Sequence, residues 1–233
     1  MNRDLSLLIG ILVSLFAVLL LWIVYITLSA ETGPRLATLA LEQLPESGVS
    51  HPVTAVLLNY RAYDTLLELA VLLAALLGIW SLGPAPAGFQ LAGPALAVMA
   101  RWIVPLAILT GGYLLWVGGH APGGAFQAGA LLGSAGVILR LAGHPRAGLP
   151  SEEAQRWLVV AGVGVFVLIG LLLAALGYGF LTYPKAGAKW LILLIETAAT
   201  LAIGATLAAA YVGGRPLGAA PPSTPTPTED ARA

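Results

Sequence analysis

The chain has 233 residues, of which 58% are hydrophobic and 9% are charged, and its mean hydropathy is +0.90. Soluble domains carry about 25% charged residues, so this composition excludes an ordinary soluble protein, and its hydrophobicity excludes a disordered chain. Eleven basic residues balance eleven acidic ones, which argues against a nucleic-acid partner, and the lack of cysteine excludes disulfides and thiolate chemistry. The sequence therefore predicts an all-α, polytopic protein that lies in membrane lipid.

Six apolar segments are candidate membrane spans, because about 20 apolar residues cross ~30 Å of hydrocarbon. They lack strict polar alternation, which predicts helices rather than the strands of a barrel. The first segment is longer than a signal-peptide core of about 7–15 residues and is therefore taken as a helix. The predicted spans are Leu5–Ala30, Val53–Leu82, Ala95–Val117, Ala125–Leu141, Trp157–Phe180 and Trp190–Val212.

The connecting segments divide the six spans into two plus four. The acidic loop Glu31–Pro52 predicts a short surface helix around Arg35–Leu44, and the tail from Pro216 is rich in Pro, Thr and Ala, which predicts disorder. The Pro- and Gly-rich segment Gly83–Pro94 predicts the internal boundary. The predicted parts are residues 1–82, a linker at 83–94, a four-helix domain at 95–213 and a tail at 214–233.

Basic residues predict the orientation, because cytoplasmic loops are enriched in Lys and Arg. With the N-terminus inside, the inner side carries about twice as many basic residues as the outer side, so we expect both termini in the cytoplasm. The inner set is Arg3, Arg101, Arg140, Arg146, Arg156, Arg215 and Arg232; the outer set is Arg35, Lys185 and Lys189, with Arg61 near that interface.

A group of polar residues interrupts the second span. Arg61, Asp64, Thr65 and Glu68 are spaced i, i+3, i+4 and i+7, which predicts one polar stripe on a helix. Charges at membrane depth need a partner or water, so this pattern favours an ion path that includes Glu68. The structural alternative is an Arg61–Asp64 ion pair that fixes the height of the helix.

The sixth span contains a single acidic residue, Glu196. Small or polar residues recur at i+4 spacing on the same face, at Thr200, Gly204 and Ala208, and small residues allow a second helix to approach closely. Two interpretations stay open for Glu196. It is either a proton or cation site, or a protonated side chain that hydrogen-bonds across the helix seam.

A Gly-rich turn joins the third and fourth spans. His120 in this turn is a candidate proton relay, because histidine titrates near neutral pH. The alternative is a tight hairpin that packs helices, in which Pro122 suits a helix start and the glycines allow close backbone approach. The residues predicted to serve the turn and the packing are Pro122, Gly123, Gly124, Gly129, Gly133 and, in the sixth span, Gly204.

The turn and the four spans around it, about Ala95–Gly213, resemble the MnhB (MrpB) component of Mrp-type multisubunit sodium/proton antiporters and the corresponding component of membrane-bound hydrogenases. That family carries Gly-His-x-x-Pro-Gly-Gly-Gly-Phe-x-Gly-Gly. Ala125 and Ala128 replace glycines here, and one residue fewer separates the His from the Pro. Glu196 stands where the family often has an acid in Phe-Asp-Leu-Gly-Val. The matching residues are Gly119, His120, Pro122, Gly123, Gly124, Phe126 and Gly129.

The second span is similar to a different component of these complexes. Residues Asn59–Glu68 follow the pattern Asp-Phe-Arg-Gly-Phe-Asp-Thr-Leu-Gly-Glu, with Leu67 in place of Gly. This pattern resembles the C-terminal end of the large antiporter protein MrpA, or the small hydrogenase protein MbhE. The two resemblances together predict a natural fusion of an MbhE-like part and an MnhB-like part.

The resemblance implies one subunit of an inner-membrane antiporter complex, with other Mrp subunits as partners, no cofactor and no catalytic centre. It implies that Glu68, with Asp64, Glu196 and their neighbours, forms part of a sodium or proton path, in which Na⁺ binds transiently at Glu68. Two alternatives remain open. The chain is a scaffold that only holds its partners, or it belongs to the membrane arm of a hydrogenase or another complex-I-like assembly.

Overall fold

The structure, a computed structural model, describes residues 3–29, 36–83, 92–144 and 146–214. The chain divides into two units, Met1–Leu39 and Ala40–Ala233. Most of the predicted linker and of the C-terminal tail lies outside the described residues, as does Arg35, the predicted start of the surface helix.

Every regular element in the described ranges is helical, which confirms the all-α prediction. Five of these helices are long and apolar enough to cross a membrane, and α6, of 17 residues, is a shorter apolar helix. At ~1.5 Å per residue α6 spans about 25 Å, slightly less than the hydrocarbon thickness. The helices are α1 (Arg3–Ser29), α2 (Leu36–Glu42), α3 (Pro52–Ala55), α4 (Ala62–Ser81), α5 (Pro94–Val117), α6 (Ala125–Leu141), α7 (Glu152–Ala175) and α8 (Ala188–Val212).

The second predicted span is not one continuous helix, so the prediction of Val53–Leu82 is wrong in this respect. A π-helical turn follows α3, in which the Arg61 N–H bonds to the Val56 carbonyl at 2.8 Å, and α4 begins only at Ala62. The Thr65 hydroxyl donates to the Leu57 carbonyl at 2.7 Å and so satisfies an acceptor at the interruption. Side chains inserted at such a break commonly stabilise it.

The fifth predicted span, Trp157–Phe180, lies five residues too late at both ends, because α7 runs from Glu152 to Ala175. Glu152 pairs with Arg156 one turn later, so a charged segment can form the first turn. Gly177 follows the end of the helix and has a φ of 86°, in the left-handed region. The Tyr178 N–H bonds to the Leu173 carbonyl at 3.1 Å. This is a Schellman C-terminus, which glycine favours.

Helix α8 is the centre of the second unit and contacts α4, α5, α6 and α7. Its buried side chains are mostly small, apart from Glu196 and three isoleucines. The isoleucines, Ile192, Ile195 and Ile203, belong to one apolar core with Phe166 of α7. Small side chains on α8 let the neighbouring helices approach closely, which is how membrane helices associate without a hydrophobic driving force.

Candidate functional site

A cavity of about 350 Å³ lies where the start of α8 meets the turn between α5 and α6 and the loop before α3. It brings together His120 and Glu196, which the sequence marked separately, and adds Lys189. The remaining lining residues are Gly48, Val49, Ser50, Trp116, Gly119, Ile192 and Leu193.

Glu196 is the acidic group of this cavity and is only 4% exposed. Its carboxylate accepts a hydrogen bond from the backbone N–H of Ala125, the first residue of α6. One turn further along α8, the Thr200 hydroxyl donates to the Ala125 carbonyl at 3.5 Å. The first N–H groups of a helix have no partner within the helix and carry partial positive charge. The Glu196 carboxylate of α8 therefore satisfies the first N–H group of α6.

Gly124 makes this contact sterically feasible. A Cβ atom at Gly124 would lie 2.8 Å from Oε1 of Glu196, and the φ and ψ of this residue, 110° and −171°, belong to a region that only glycine adopts readily. The Gly124 N–H bonds back to the Leu114 carbonyl at 2.9 Å, so the chain is still turning at this residue. Helix α6 begins at Ala125, as predicted for the fourth span, so Pro122 lies in the turn three residues before the helix.

The loop before α3 forms another wall of the cavity. The N–H groups of Ser50 and His51 donate to the Gly119 carbonyl at 3.0 and 3.1 Å, and the Thr54 hydroxyl donates to the Gly118 carbonyl at 2.5 Å. Nδ1 of His51 lies 3.3 Å from the same hydroxyl, whose one proton is already donated. Sequence reasoning missed this wall, because no local pattern indicates such distant partners.

Lys189 is the cationic group of the cavity. It precedes Glu196 by seven residues, which places both on the same face of α8, two turns apart. Its Nζ lies 5.8 Å from the centroid of the Trp190 ring. Lys189 was predicted to lie on the outer side, and its spacing of seven residues from Glu196 was a usable signal for a shared site.

The predicted small-residue seam lies between α6 and α8. A Cβ atom at Gly129 would lie 2.7 Å from Ile203, one at Gly133 the same distance from Leu207, and one at Gly204 the same distance from Leu132. The two backbones are therefore as close as glycine allows. This close approach fixes the position of Ala125 relative to Glu196.

The predicted polar stripe of the second span is split between the inside and the outside of the unit. Thr65 is buried, whereas Arg61 pairs with Asp64 on the surface and Glu68 is exposed. Glu68 does not line the cavity of Glu196. In the described ranges no three His, Asp or Glu side chains are grouped as a metal site requires, so Na⁺ binding at Glu68 stays a prediction.

Glu68 lies within α4, a helix that is long and apolar enough to cross a membrane. From Leu69 to the C-cap residue Leu82 the helix has 14 residues and spans about 21 Å, which is less than the ~30 Å of hydrocarbon. A carboxylate this deep cannot remain against lipid without a cost of a few kcal/mol. Its exposed face therefore requires water or a polar neighbour.

Comparison with known proteins gives one family and two similar structures. Residues 95–215 match the family model described as a domain related to the MnhB subunit of the Na⁺/H⁺ antiporter. No curated protein matches the chain.

A chain of the membrane-bound sulfane sulfur reductase, an archaeal respiratory membrane complex, is 25% identical with a TM-score of 0.65, and the match covers 88% of this chain and 96% of that one. A chain of the Mrp complex from Dietzia sp. DQ12-45-1b has the same TM-score at 24% identity, over 95% of this chain and 27% of that one, and shows a likeness in fold. This chain thus spans about a quarter of the Mrp-complex chain that it matches. Because the family model covers more than half of its length, the chain belongs to the family of domains related to the MnhB subunit of the Na⁺/H⁺ antiporter.

Proposed function

We propose that the chain is a membrane subunit of a multisubunit Mrp-type cation/proton antiporter complex and contributes the Glu196 cavity to the path of the proton or the cation. The observation that carries the proposal is a buried carboxylate that lines a cavity together with a histidine and a lysine. Membership of the antiporter-related family supports the same function. We assign no catalytic step to the chain.

The contacts of Glu196 suit an exchange site. The Ala125 N–H and the positive end of α6 stabilise a negative carboxylate, and the cavity gives a proton or a hard cation access to it. His120 is exposed at the same cavity, where its imidazole would serve as the proton relay. Lys189 provides a positive charge two turns away along α8. This charge would oppose the entry of a cation while the Lys189 side chain lines the cavity.

Asp64 and Glu68 would serve a different stretch of the path. Both lie on the outward side of α4, and Glu68 does not line the Glu196 cavity. We propose that another subunit covers this face and completes a hydrated path there, with Glu68 as the carboxylate that meets the ion.

The unequal distribution of basic residues supports an orientation in which the end with Arg101 and Arg156 faces the cytoplasm.

The test is Glu196→Gln in the assembled complex, assayed for Na⁺/H⁺ exchange in membrane vesicles. Glutamine keeps an oxygen that accepts the Ala125 hydrogen bond but cannot release a proton or carry negative charge. We expect assembly to persist and exchange to fall to near background, whereas Glu153→Gln, an exposed acid at the start of α7, should leave exchange unchanged. Undiminished exchange in an assembled Glu196→Gln complex would refute this role, and Glu68→Gln tests the α4 stretch in the same way.

A second candidate is a component of a respiratory membrane complex. It is favoured by the match to the sulfane sulfur reductase chain, which this chain covers almost completely. Purification of the tagged chain in mild detergent, with mass spectrometry of the co-purifying proteins, separates the two. Antiporter-like subunits alone support the first candidate, and redox subunits support the second. If the chain is only a scaffold, Glu68→Gln and Glu196→Gln would both retain exchange, as the control Glu153→Gln should.

A further inference from the structure

A second concave surface lies at the other end of α6, where it faces the first half of α5. This groove has a volume of about 370 Å³ and is open to the surface. Its floor is apolar, with Ala97, Ala100 and Val104 from α5 and Leu139 and Ala142 from α6. Arg101 and His144 line the same groove.

The groove lies at the level of a membrane interface. Arg101 is followed by Trp102, which is 81% exposed, and Trp157 near the start of α7 is 72% exposed. Exposed tryptophans mark the headgroup level of a membrane. Helix α5 has 24 residues and spans about 36 Å, which is about one helical turn more than ~30 Å of hydrocarbon. Arg101, about 10 Å from the start of α5, is then close to the level at which a long basic side chain reaches lipid phosphates.

The described residues provide no carboxylate that pairs with the basic side chains of the groove, Arg101 and His144. At the same end of the helices, Arg156 differs because it pairs with Glu152. Arg101 therefore presents a planar set of N–H donors, a geometry that matches phosphate oxygens, beside an apolar floor.

We propose that this groove binds an anionic phospholipid, with its phosphate on Arg101 and an acyl chain along the alanine-rich floor. Charge complementarity selects the headgroup, and basic pockets between membrane helices bind such headgroups. The groove is open to the surface, so it is accessible to an acyl chain, and His144 lines it with a ring that can donate an N–H. This proposal is independent of the ion path, because it rests on residues at the opposite end of α6.

The test measures lipid retention by the full chain purified with its partner subunits. Complexes in nanodiscs of phosphatidylglycerol and phosphatidylcholine are transferred to detergent, and the retained lipid is counted by native mass spectrometry. We expect the wild type to retain phosphatidylglycerol preferentially. Arg101→Gln should lower that retention about fivefold, which is the contribution of one basic residue near a membrane surface. Arg101→Lys should retain most of it, since the point charge remains.

Two further variants separate a lipid site from its alternatives. Ala97→Trp fills the floor without changing the charge and should also reduce retention, whereas Arg156→Gln, at the same end but in an ion pair, should leave it unchanged. Three results would each overturn the proposal: equal retention of both lipids by the wild type, unchanged retention in Arg101→Gln, or an equal loss in Arg156→Gln. A protein partner that fills the groove would give the first of these.

Discussion

The contact between α6 and α8 should be intolerant of a single added methyl group at Gly129. An alanine Cβ there would lie 2.7 Å from both Cβ and Cγ2 of Ile203 and 3.1 Å from the Thr200 carbonyl oxygen. Carbon atoms pack at about 3.5–4.0 Å, so the two helices would have to separate by about 1 Å. Overpacking of this kind costs about 1–3 kcal/mol, and alanine recovers about 0.5–1 kcal/mol of helix propensity. The difference leaves a net loss of about 1 kcal/mol at mid-range and about 2.5 kcal/mol at most.

Gly164 of α7 provides the matched control, because no atom lies within 4 Å of a Cβ placed there. Gly164→Ala should hold or raise the melting temperature of the purified complex in detergent, while Gly129→Ala should lower it. Separation of the helices would also lengthen the hydrogen bond from Ala125 to Glu196, so exchange activity should fall with stability. If Gly129→Ala melts at or above the temperature of Gly164→Ala, the inferred close packing of the seam is refuted.

Three further changes test other contacts by the same melting assay. Gly124→Ala should cost about 1–3 kcal/mol through its backbone conformation alone, and the clash with the Glu196 carboxylate should add to that cost. The loss of stability should therefore be smaller in a Glu196→Ala background, which lacks the carboxylate. An equal loss in both backgrounds would contradict the contact. Thr54→Val should cost about 1–2 kcal/mol, because the buried Gly118 carbonyl loses its donor, and an unchanged melting temperature would exclude that bond. Burial raises the pKa of Tyr183 above its ordinary value near 10. Above that pH the unfolded chain loses the phenol proton while the folded chain keeps it, so the free energy of unfolding falls as pH rises past about 10. Tyr183→Phe removes this hydroxyl, which lacks a partner among the described residues. The variant should have the melting temperature of the wild type at pH ~8 and a higher one at pH ~11. If both proteins lose the same melting temperature between these pH values, the linkage is disproved.

The membrane class and most helix bounds follow from the sequence. The bounds of α6 agree with the prediction at both ends, and α5 begins within one residue of it. Hydrocarbon thickness and uninterrupted apolar runs determine these features locally. The contact of Gly129, Gly133 and Gly204 with α8 or α6 was also foreseeable, because small residues at helical spacing are unfavourable unless another helix covers them.

The interruption at Arg61 and the shift of α7 were not predictable from apolar length. The first depends on a side-chain bond from Thr65 to Leu57, and the second on a glycine in the left-handed conformation at position 177. A run of hydrophobic residues indicates that a segment is buried in lipid or protein. It does not indicate which backbone hydrogen bonds its residues make.

The sequence by itself determined that Glu196 must lie against another helix, since an isolated carboxylate among apolar residues cannot face lipid. Only the tertiary structure decided that its partner is the first N–H of α6, that His120 of the distant turn lines its cavity, and that Glu68 lies apart from it. The physical reason is that these contacts join residues distant in the chain. The backbone carbonyls of Gly118 and Gly119 that hold the cavity wall carry no sequence signature of their partners.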